Sequence, residues 1–289
     1  MRENQCGFRR NRSCIDHLYS LHCIIHNCIE SNLPLQINFI DFKATFDSIN
    51  HEFIWKAFEH YGLPSKYINV FKSFFKDTES AVCVNGELTR WFGVDSGTGQ
   101  GDVQGPPIFN LVINWALELA ERFKRLSKAL ILQKRQSSRC PEKCVMDSDY
   151  GDNIAALGNT AEGLQKTTDN IAKYCAFGGL KTNARKTETM VIGKDTTQHP
   201  LPKDRTVNVT IDGNPVKQVT QFTYLGATIK SDGKIDKEIN VRIGKATGAF
   251  NQLNNVWKNK NISISNKVKI YVAAVLTILT YGCEVWSTT

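Results

Sequence analysis

The chain has 289 residues, of which 41% are hydrophobic, enough for one large or two modest globular domains with a real core. Its formal net charge of +8 arises at the two ends, in residues 1–13 and 230–270. This distribution favours a polyanionic partner that contacts the flanks of a site, although ordinary solvated lysines and arginines would also produce it.

Cysteine usage and the lack of long apolar runs indicate where in the cell the protein is located. The nine cysteines show no even-spaced framework, which is typical of an intracellular protein with reduced thiols. Cys140 and Cys144 lie close together, but without a second pair at zinc-finger spacing a plain loop is favoured over a metal site. No signal-peptide pattern opens the chain and no run approaches about 18 apolar residues, so we expect neither secretion nor a membrane span.

The first part of the chain is predicted to combine helices with one long strand. Apolar residues at helical spacing predict a helix over 15–29, and strict alternation over 35–39 predicts a strand that ends at Asp41. Two further helices are predicted over 53–58 and 67–75.

The middle of the chain carries turn signals. Asn85-Gly86 predicts a tight hairpin, and a long apolar helix follows the glycine-rich segment 97–102. We interpret 130–142 as a polar loop and 145–154 as a short hairpin around the turn Tyr150-Gly151-Asp152-Asn153.

The last part changes from strands to helices. A helix is predicted over 164–175, strand patterns fill 187–229, and only helical periodicity appears past residue 234. The sequence therefore predicts an α+β region with segregated strands, followed by a helical region that begins near residue 230.

Two acid-bearing segments, separated by about 110 residues, stand out. Asp41 ends the first predicted strand, and Asp152 lies in the turn of a predicted hairpin. A lone aspartate at a strand end is more often a turn residue or a cap. Two carboxylates that converge from separate strands, however, can hold a pair of divalent ions.

Several ordered segments resemble the sequence blocks of reverse transcriptases from non-LTR (LINE-type) retrotransposons. In chain order they are Gln5–Arg9 with Arg12-Ser13, Phe39–Asp47, Gln100-Gly101 with Pro107–Asn110, Tyr150–Asn153, Gly179–Asn183 with Lys186-Thr187, Phe222–Gly226 and Tyr281–Trp286. Each block alone would be weak, but their occurrence in order makes coincidence negligible. The chain resembles a partial and diverged copy.

The resemblance implies a right-hand polymerase fold of the α+β class. It implies partial fingers over 1–34, a palm with an antiparallel sheet and packed helices over 35–229, and an α-helical thumb-like region over 230–289. Because the chain opens four residues before Gln5, the upstream finger strands are expected to be missing.

The resemblance also implies the residues of an active site. Asp41 and Asp152, with the backbone carbonyl of Phe42, would hold two Mg²⁺ ions, and Lys186 would meet the departing pyrophosphate. Asn153 is included among the catalytic positions because the family has a second aspartate there. An amide offers the metals one neutral oxygen, so metal affinity or rate should suffer. The same Gly-Asp-Asn turn in polymerases of non-segmented negative-strand RNA viruses shows that the amide can be tolerated.

The implied partners are an RNA template, a DNA primer and deoxynucleoside triphosphates, with no membrane and with the oligomeric state left open. Phe46, Gln100 and Gly101 would form the nucleotide pocket, in which the Phe46 ring would clash with a 2′ hydroxyl. The residues implied in nucleic-acid binding are Arg9, Arg12, Phe222, Tyr224, Leu225 and Gly226. The expected location is intracellular, in the nucleus or the cytoplasm.

Two functions from different classes remain open at this point. The first is an RNA-directed DNA polymerase, impaired by Asn153 and by missing fingers. The second is a catalytically inactive remnant that still binds nucleic acid. Thr45, where the family has alanine, and Asp102, an acid beside the nucleotide pocket, are small departures typical of a decaying copy. An unrelated palm-like binding protein would require the ordered blocks to be coincidence.

Overall fold

The computed structural model describes residues 1–99, 101–122, 130–133, 143–193 and 206–286. Gln100 and Cys140, and most of the predicted polar loop, lie outside these residues. Within them, no helix combines the length and the apolarity needed to cross a membrane.

The helices lie where the sequence periodicity predicts them. They are α1 (Cys14–Glu30), α2 (His51–His60), α3 (Ser65–Phe75), α4 (Gly105–Glu121), α5 (Ala161–Phe177), α6 (Asp236–Gln252), α7 (Asn254–Lys258), α8 (Ile264–Tyr271) and α9 (Thr277–Leu279), with a π-helical turn at Val272–Leu276 and a 3₁₀ turn at Cys283–Val285. Side-chain caps explain where several of the helices begin. Ser13 forms a capping box with Asp16 at α1, and Asn50 and Thr160 cap α2 and α5.

The strands are short, apart from those of the central sheet. They are β1 (Leu35–Ile40), β2 (Phe42–Lys43), β3 (Glu79–Ser80), β4 (Cys83–Val84), β5 (Glu87–Leu88), β6 (Phe92–Gly93), β7 (Leu130–Gln133), β8 (Lys143–Val145), β9 (Asp147–Tyr150), β10 (Asn153–Gly158), β11 (Lys181–Thr182), β12 (Glu188–Ile192), β13 (Thr210–Ile211), β14 (Asn214–Pro215), β15 (Lys217–Gln218), β16 (Gln221–Tyr224) and β17 (Ala227–Lys230). The predicted Asn85-Gly86 hairpin is confirmed, with both residues at positive φ between β4 and β5.

A five-stranded sheet in the order β15-β12-β1-β10-β9 forms the centre of the described structure. Strand β1 pairs antiparallel with both β10 and β12. Helices α2, α4 and α5 contribute to the core on one face, while α1 and the β16–β17 hairpin contribute to the core on the other. Asn38 is therefore buried, and its amide donates to Thr168 of α5 at 3.0 Å and accepts from Thr189 of β12 at 3.1 Å.

One element prediction is wrong. Residues 130–133 form strand β7, which pairs with β8, rather than the start of a polar loop. The physical reason is the apolar run at its start. Leu130 is fully buried in the core beside the sheet, and the burial of its apolar side chain stabilises the strand.

The first residues of the chain lie along the edge of the central sheet. Gln5 forms a parallel bridge with Asp149 of β9, and Cys6 N–H donates to the Asp149 carbonyl at 2.9 Å. Arg2 is buried between the carboxylates of Asp147 and Asp149. The segment 1–7 is therefore attached directly to the hairpin that carries Asp152.

The helices after β17 contact the rest of the chain at the turn of the β16–β17 hairpin. Tyr281 donates its hydroxyl to the Leu225 carbonyl at 2.6 Å, and the Arg242 guanidinium donates to the carbonyl of Gly226 and stacks on the Tyr281 ring. Arg242 also pairs with Glu238, whose carboxylate accepts the N–H of Thr228 at 2.7 Å. The predicted division of the chain at 34/35 and 229/230 stays a prediction.

Candidate active site

The pairing of β1 with β10 brings the segments that carry Asp41 and Asp152 to the same end of the central sheet. The register of β1 against β10 pairs Ile40 with Ile154. Asp41, the next residue after β1, therefore lies beside Asn153 and the turn that carries Asp152. Both aspartates are half-buried. The convergence of the two acid-bearing strand ends, on which the sequence interpretation depends, is present in the fold.

Asp41 is fixed by the segment that precedes β12. Its backbone N–H donates to the Thr187 hydroxyl oxygen at 3.2 Å, and its carbonyl accepts the Asn183 N–H at 2.8 Å. The amide of the Asn183 side chain donates to the Asp41 carboxylate at 3.2 Å. One block of the sequence thus holds the first aspartate of another block in place.

Both carboxylate oxygens of Asp152 accept hydrogen bonds from side chains of this chain. The Thr45 hydroxyl donates to Oδ2 at 3.2 Å, and the Asn153 amide donates to Oδ1 at 3.1 Å. These two donors stand at the two positions where the sequence departs from the family pattern near the turn. Each donor occupies a lone pair that a cation could otherwise use.

The donor atoms present fit a hard cation in type but are few. Carboxylate and carbonyl oxygens are the ligands that Mg²⁺ prefers, and Asp41 and Asp152 supply the former. In the ranges that the structure describes, no three or more histidine, cysteine, aspartate or glutamate side chains gather to hold a metal. Asn153, the residue after Asp152, contributes an amide and not a carboxylate at this end of the sheet. The role of the Phe42 carbonyl stays a prediction.

A basic cleft opens beside Asp41. It has a volume of about 780 Å³ and lies between the sheet, the β16–β17 hairpin and helix α6. Its cationic lining residues are Arg185, Lys186, Lys237 and Lys245. Lys186, the predicted partner of pyrophosphate, is exposed in this cleft next to Asp41. Charge of this sign along a groove suits a phosphate backbone.

Of the residues predicted to form the nucleotide pocket, the structure describes Phe46 and Gly101. The Thr98 N–H donates to the Phe46 carbonyl at 2.8 Å, so the glycine-rich segment is attached to the residue predicted to contact the sugar. The half-buried Phe46 ring packs on Phe109 of α4, with centroids 4.9 Å apart. Gly101 is exposed at φ +87°, a conformation that favours glycine.

The residues predicted to bind nucleic acid differ in exposure. Arg9 donates to the carbonyls of Arg2 and Gln5, and exposed Arg12 pairs with Glu3 at 2.6 Å. In the β16–β17 hairpin, Phe222 stacks on Phe39 with ring centroids 4.4 Å apart, and Leu225 and Gly226 form the turn at positive φ. Contact of these residues with nucleic acid stays a prediction.

Tyr224 supports the turn that carries Asp152, a contact that the sequence did not indicate. Its side chain is 2% exposed, and its hydroxyl donates to the Asn153 carbonyl at 2.9 Å. His17 Nε2 lies 3.1 Å from the same hydroxyl oxygen. Because the hydroxyl proton is given to Asn153, His17 carries its proton on Nε2 and donates to Tyr224. The pair links α1, the β16–β17 hairpin and the turn.

Protonation of His17 should make the fold sensitive to acid. Burial lowers the pKa of His17 to about 4, so the folded state keeps the ring neutral while the unfolded state binds a proton below its ordinary pKa of about 6.5. Stability from this group is complete at neutral pH and is lost as the pH falls from about 6.5 to about 4. We expect acidification from about pH 7 to about pH 5 to lower the free energy of unfolding by about 2 kcal/mol through His17.

Urea denaturation at the two pH values measures this loss. The variant His17→Gln keeps a donor for Tyr224 but does not titrate, so it should lack this part of the pH dependence. Equal pH dependence in the natural chain and in His17→Gln would contradict the assignment.

Comparison with known proteins identifies the family. Residues 1–229 match the family described as reverse transcriptase (RNA-dependent DNA polymerase). The Pol polyprotein of the type-1 retrotransposable element R2 from Nasonia vitripennis is 24% identical over 210 residues, which are 72% of this chain and 19% of that protein. The RNA-directed DNA polymerase from mobile element jockey of Drosophila funebris is 21% identical and aligns with 98% of this chain and 29% of that protein. The chain thus spans about a fifth to three tenths of these relatives.

Solved structures support the same fold. Apo telomerase from Candida tropicalis, truncated from its C-terminal domain, matches with a TM-score of 0.50 and 13% identity, over 80% of this chain and 40% of that one. Telomerase from the same organism with a fragment of telomeric RNA matches with a TM-score of 0.50 and 12% identity, over 96% and 42%. The predicted α+β fold of the reverse transcriptase palm is confirmed. The chain belongs to the reverse transcriptase (RNA-dependent DNA polymerase) family and is of the non-LTR retrotransposon type.

Proposed function

We propose that the chain extends a DNA primer on an RNA template by nucleotidyl transfer at Asp41 and Asp152. The observation that supports the proposal is the pairing of β1 with β10, which brings Asp41 beside the turn that carries Asp152, with Asp41 lining the basic cleft. When bound there, two Mg²⁺ ions would activate the primer 3′ hydroxyl and neutralise the triphosphate.

The remaining site residues have roles that follow from their chemistry. Lys186 offers a positive donor to the departing pyrophosphate, and the Phe46 ring sets the space for a deoxyribose. The cationic side chains of the cleft would bind the phosphate backbone of primer and template, so affinity should fall as salt rises. We also propose that the protein acts inside the cell, in the nucleus or the cytoplasm.

We also propose that Asn153 lowers the activity. Its amide donates a hydrogen bond to Asp152, where an aspartate would add negative charge toward the cations. This observation favours a second candidate function, a remnant that binds nucleic acid without extending it. The two candidates share the cleft and differ only in what the turn can hold.

Primer extension with purified protein tests the enzymatic proposal. With Mg²⁺, an RNA template and a DNA primer, the natural chain should give extension that Asp41→Ala lowers at least about 100-fold, the scale for losing a group that stabilises transition-state charge. Asp169→Ala, which removes an exposed acid of α5, should extend like the natural chain. Extension that is equal in all three proteins would come from a contaminant and would remove the proposal.

A further inference from the structure

The buried side chain of Gln5 forms hydrogen bonds with both backbone polar groups of Gly151 in the turn that carries Asp152. We call this pair of hydrogen bonds the bracket. The Oε1 of Gln5 accepts the Gly151 N–H at 3.0 Å, and its Nε2 donates to the Gly151 carbonyl at 3.3 Å. The same Oε1 accepts the Gly7 N–H at 2.8 Å. Gln5 is fully buried, so these groups depend on one another for their hydrogen bonds rather than on water.

The bracket requires the two backbones to approach closely. A Cβ at Gly7 would lie 2.2 Å from the Gly151 nitrogen, so only glycine fits at this position. Asn110 of α4 donates to the Gly7 carbonyl at 2.8 Å and fixes the segment from the other side. The segment that carries Gln5 and Gly7 is therefore held by the sheet edge and by α4.

Gly151 immediately precedes Asp152 and adopts φ +63°. A rotation at this residue would swing the Asp152 carboxylate relative to Asp41, which is anchored separately by Asn183 and Thr187. Cation sites need their ligands held within about 0.5 Å, so the peptide at Gly151 is where such a rotation has to be prevented.

We propose that Gln5 is a positioning residue for the reverse transcriptase reaction: by fixing both polar groups of Gly151, it orients the Asp152 carboxylate toward Asp41. The inference rests on the proposed function and explains why glutamine and glycine occur two residues apart in the first sequence block. It concerns geometry alone, since Gln5 is fully buried and its amide bonds to backbone groups of Gly7 and Gly151.

The test separates hydrogen bonding from packing. Gln5→Met keeps nearly the same volume but cannot bond to Gly151 or Gly7. The matched control is Gln165→Met. Gln165 brackets Thr210 in the same way, with its Oε1 accepting the Thr210 N–H and its Nε2 donating to the Thr210 carbonyl, both at 2.8 Å, at a place that does not touch the turn.

Mn²⁺ binding, followed by electron paramagnetic resonance, is the main measurement, and amide hydrogen exchange at Gly151 and Gly7 reports whether the bracket has opened. Gln5→Met should speed exchange at both glycines and weaken Mn²⁺ binding about 10–100-fold, the usual cost of losing a group that orients a metal ligand. Gln5→Glu keeps an acceptor for both N–H groups and should fall between. Gln165→Met should leave Mn²⁺ binding unchanged.

The inference and the proposed function fail in different ways. Faster exchange in Gln5→Met with unchanged Mn²⁺ affinity would make Gln5 structural only and overturn the inference, as would unchanged exchange. The same measurements are made in the Asn153→Asp background, where the site has an added carboxylate. If Mn²⁺ bound in neither background and extension never depended on Asp41, the proposed function would fall and the inference with it.

Discussion

Replacement of Asn153 by aspartate should raise the extension rate about 10–100-fold, which is the largest gain in activity that we expect from a single substitution. The change removes the amide that donates to Asp152 and adds a carboxylate at the same end of the sheet. Initial rates on an RNA template with a DNA primer measure it. Without a cation, the two adjacent carboxylates should repel each other and lower stability.

The cation dependence of stability provides a second measurement of the same substitution. Because a ligand that binds only the folded state stabilises it, Mg²⁺ should raise the thermal midpoint of Asn153→Asp more than that of the natural chain. Asn214→Asp makes the same charge change on the exposed strand β14 and is the control for general ion effects. It should respond to Mg²⁺ like the natural chain.

Thr45 decides how far this substitution can restore the site. Its hydroxyl would still donate to Asp152 Oδ2 in Asn153→Asp, so Thr45→Ala in that background should raise the rate further. If extension stays absent in the single and the double variant while RNA–DNA duplex binding persists, the chain is a binding remnant. That outcome would select the second candidate function.

The sequence predicted well what depends on local pattern. Periodic apolar residues produced α1 and α5, and Asn85-Gly86 produced its hairpin, because helix formation and tight turns are governed by neighbours in sequence. The expectation that Asp41 and Asp152 lie at the same end of the sheet followed from an ordered resemblance. The structural basis of this arrangement, the pairing of β1 with β10, joins residues more than 100 positions apart.

The sequence did not show where polar side chains point once the chain has folded. Arg2 counted toward the basic end of the chain, yet it is buried against acids of β9. Nucleic-acid binding by Tyr224 stays a prediction, but nothing in the sequence indicated that its buried hydroxyl donates to the Asn153 carbonyl of the turn. Gln5 belonged to a recognised block without any indication of its contact with Gly151. Such contacts depend on tertiary approach, which neither composition nor periodicity encodes.

Removal of the Arg2 guanidinium is expected to cause the largest loss of stability. Arg2 donates to Asp147, Asp149 and Glu121, and the two aspartates are fully buried. Breaking a buried ion pair by deleting one partner costs about 3–5 kcal/mol, because the remaining charges stay out of water. Arg2→Met should lower the free energy of unfolding by about this amount in urea denaturation at neutral pH.

The pH dependence of this loss has a defined sign. Burial, followed by the charge of Asp147, raises the pKa of Asp149 well above its ordinary value, while Arg2 opposes the shift. Without Arg2 the pKa should rise further, so the folded state of Arg2→Met binds protons that its unfolded state does not. Its stability should therefore recover as the pH falls, and the difference from the natural chain should be smaller near about pH 5 than near about pH 8.

Arg12→Met is the matched control on the same segment. Arg12 pairs with Glu3 at 2.6 Å, but both side chains are substantially exposed, and an exposed pair contributes only about 0–1 kcal/mol. A loss in Arg2→Met no larger than that in Arg12→Met would mean that the buried cluster does not hold the segment. Since Gln5 reaches Gly151 only while residues 1–7 lie along β9, a large loss in Arg2→Met should also be accompanied by faster amide exchange at Gly151. Stability at the sheet edge and geometry at the turn then share one cause, the docking of the first seven residues.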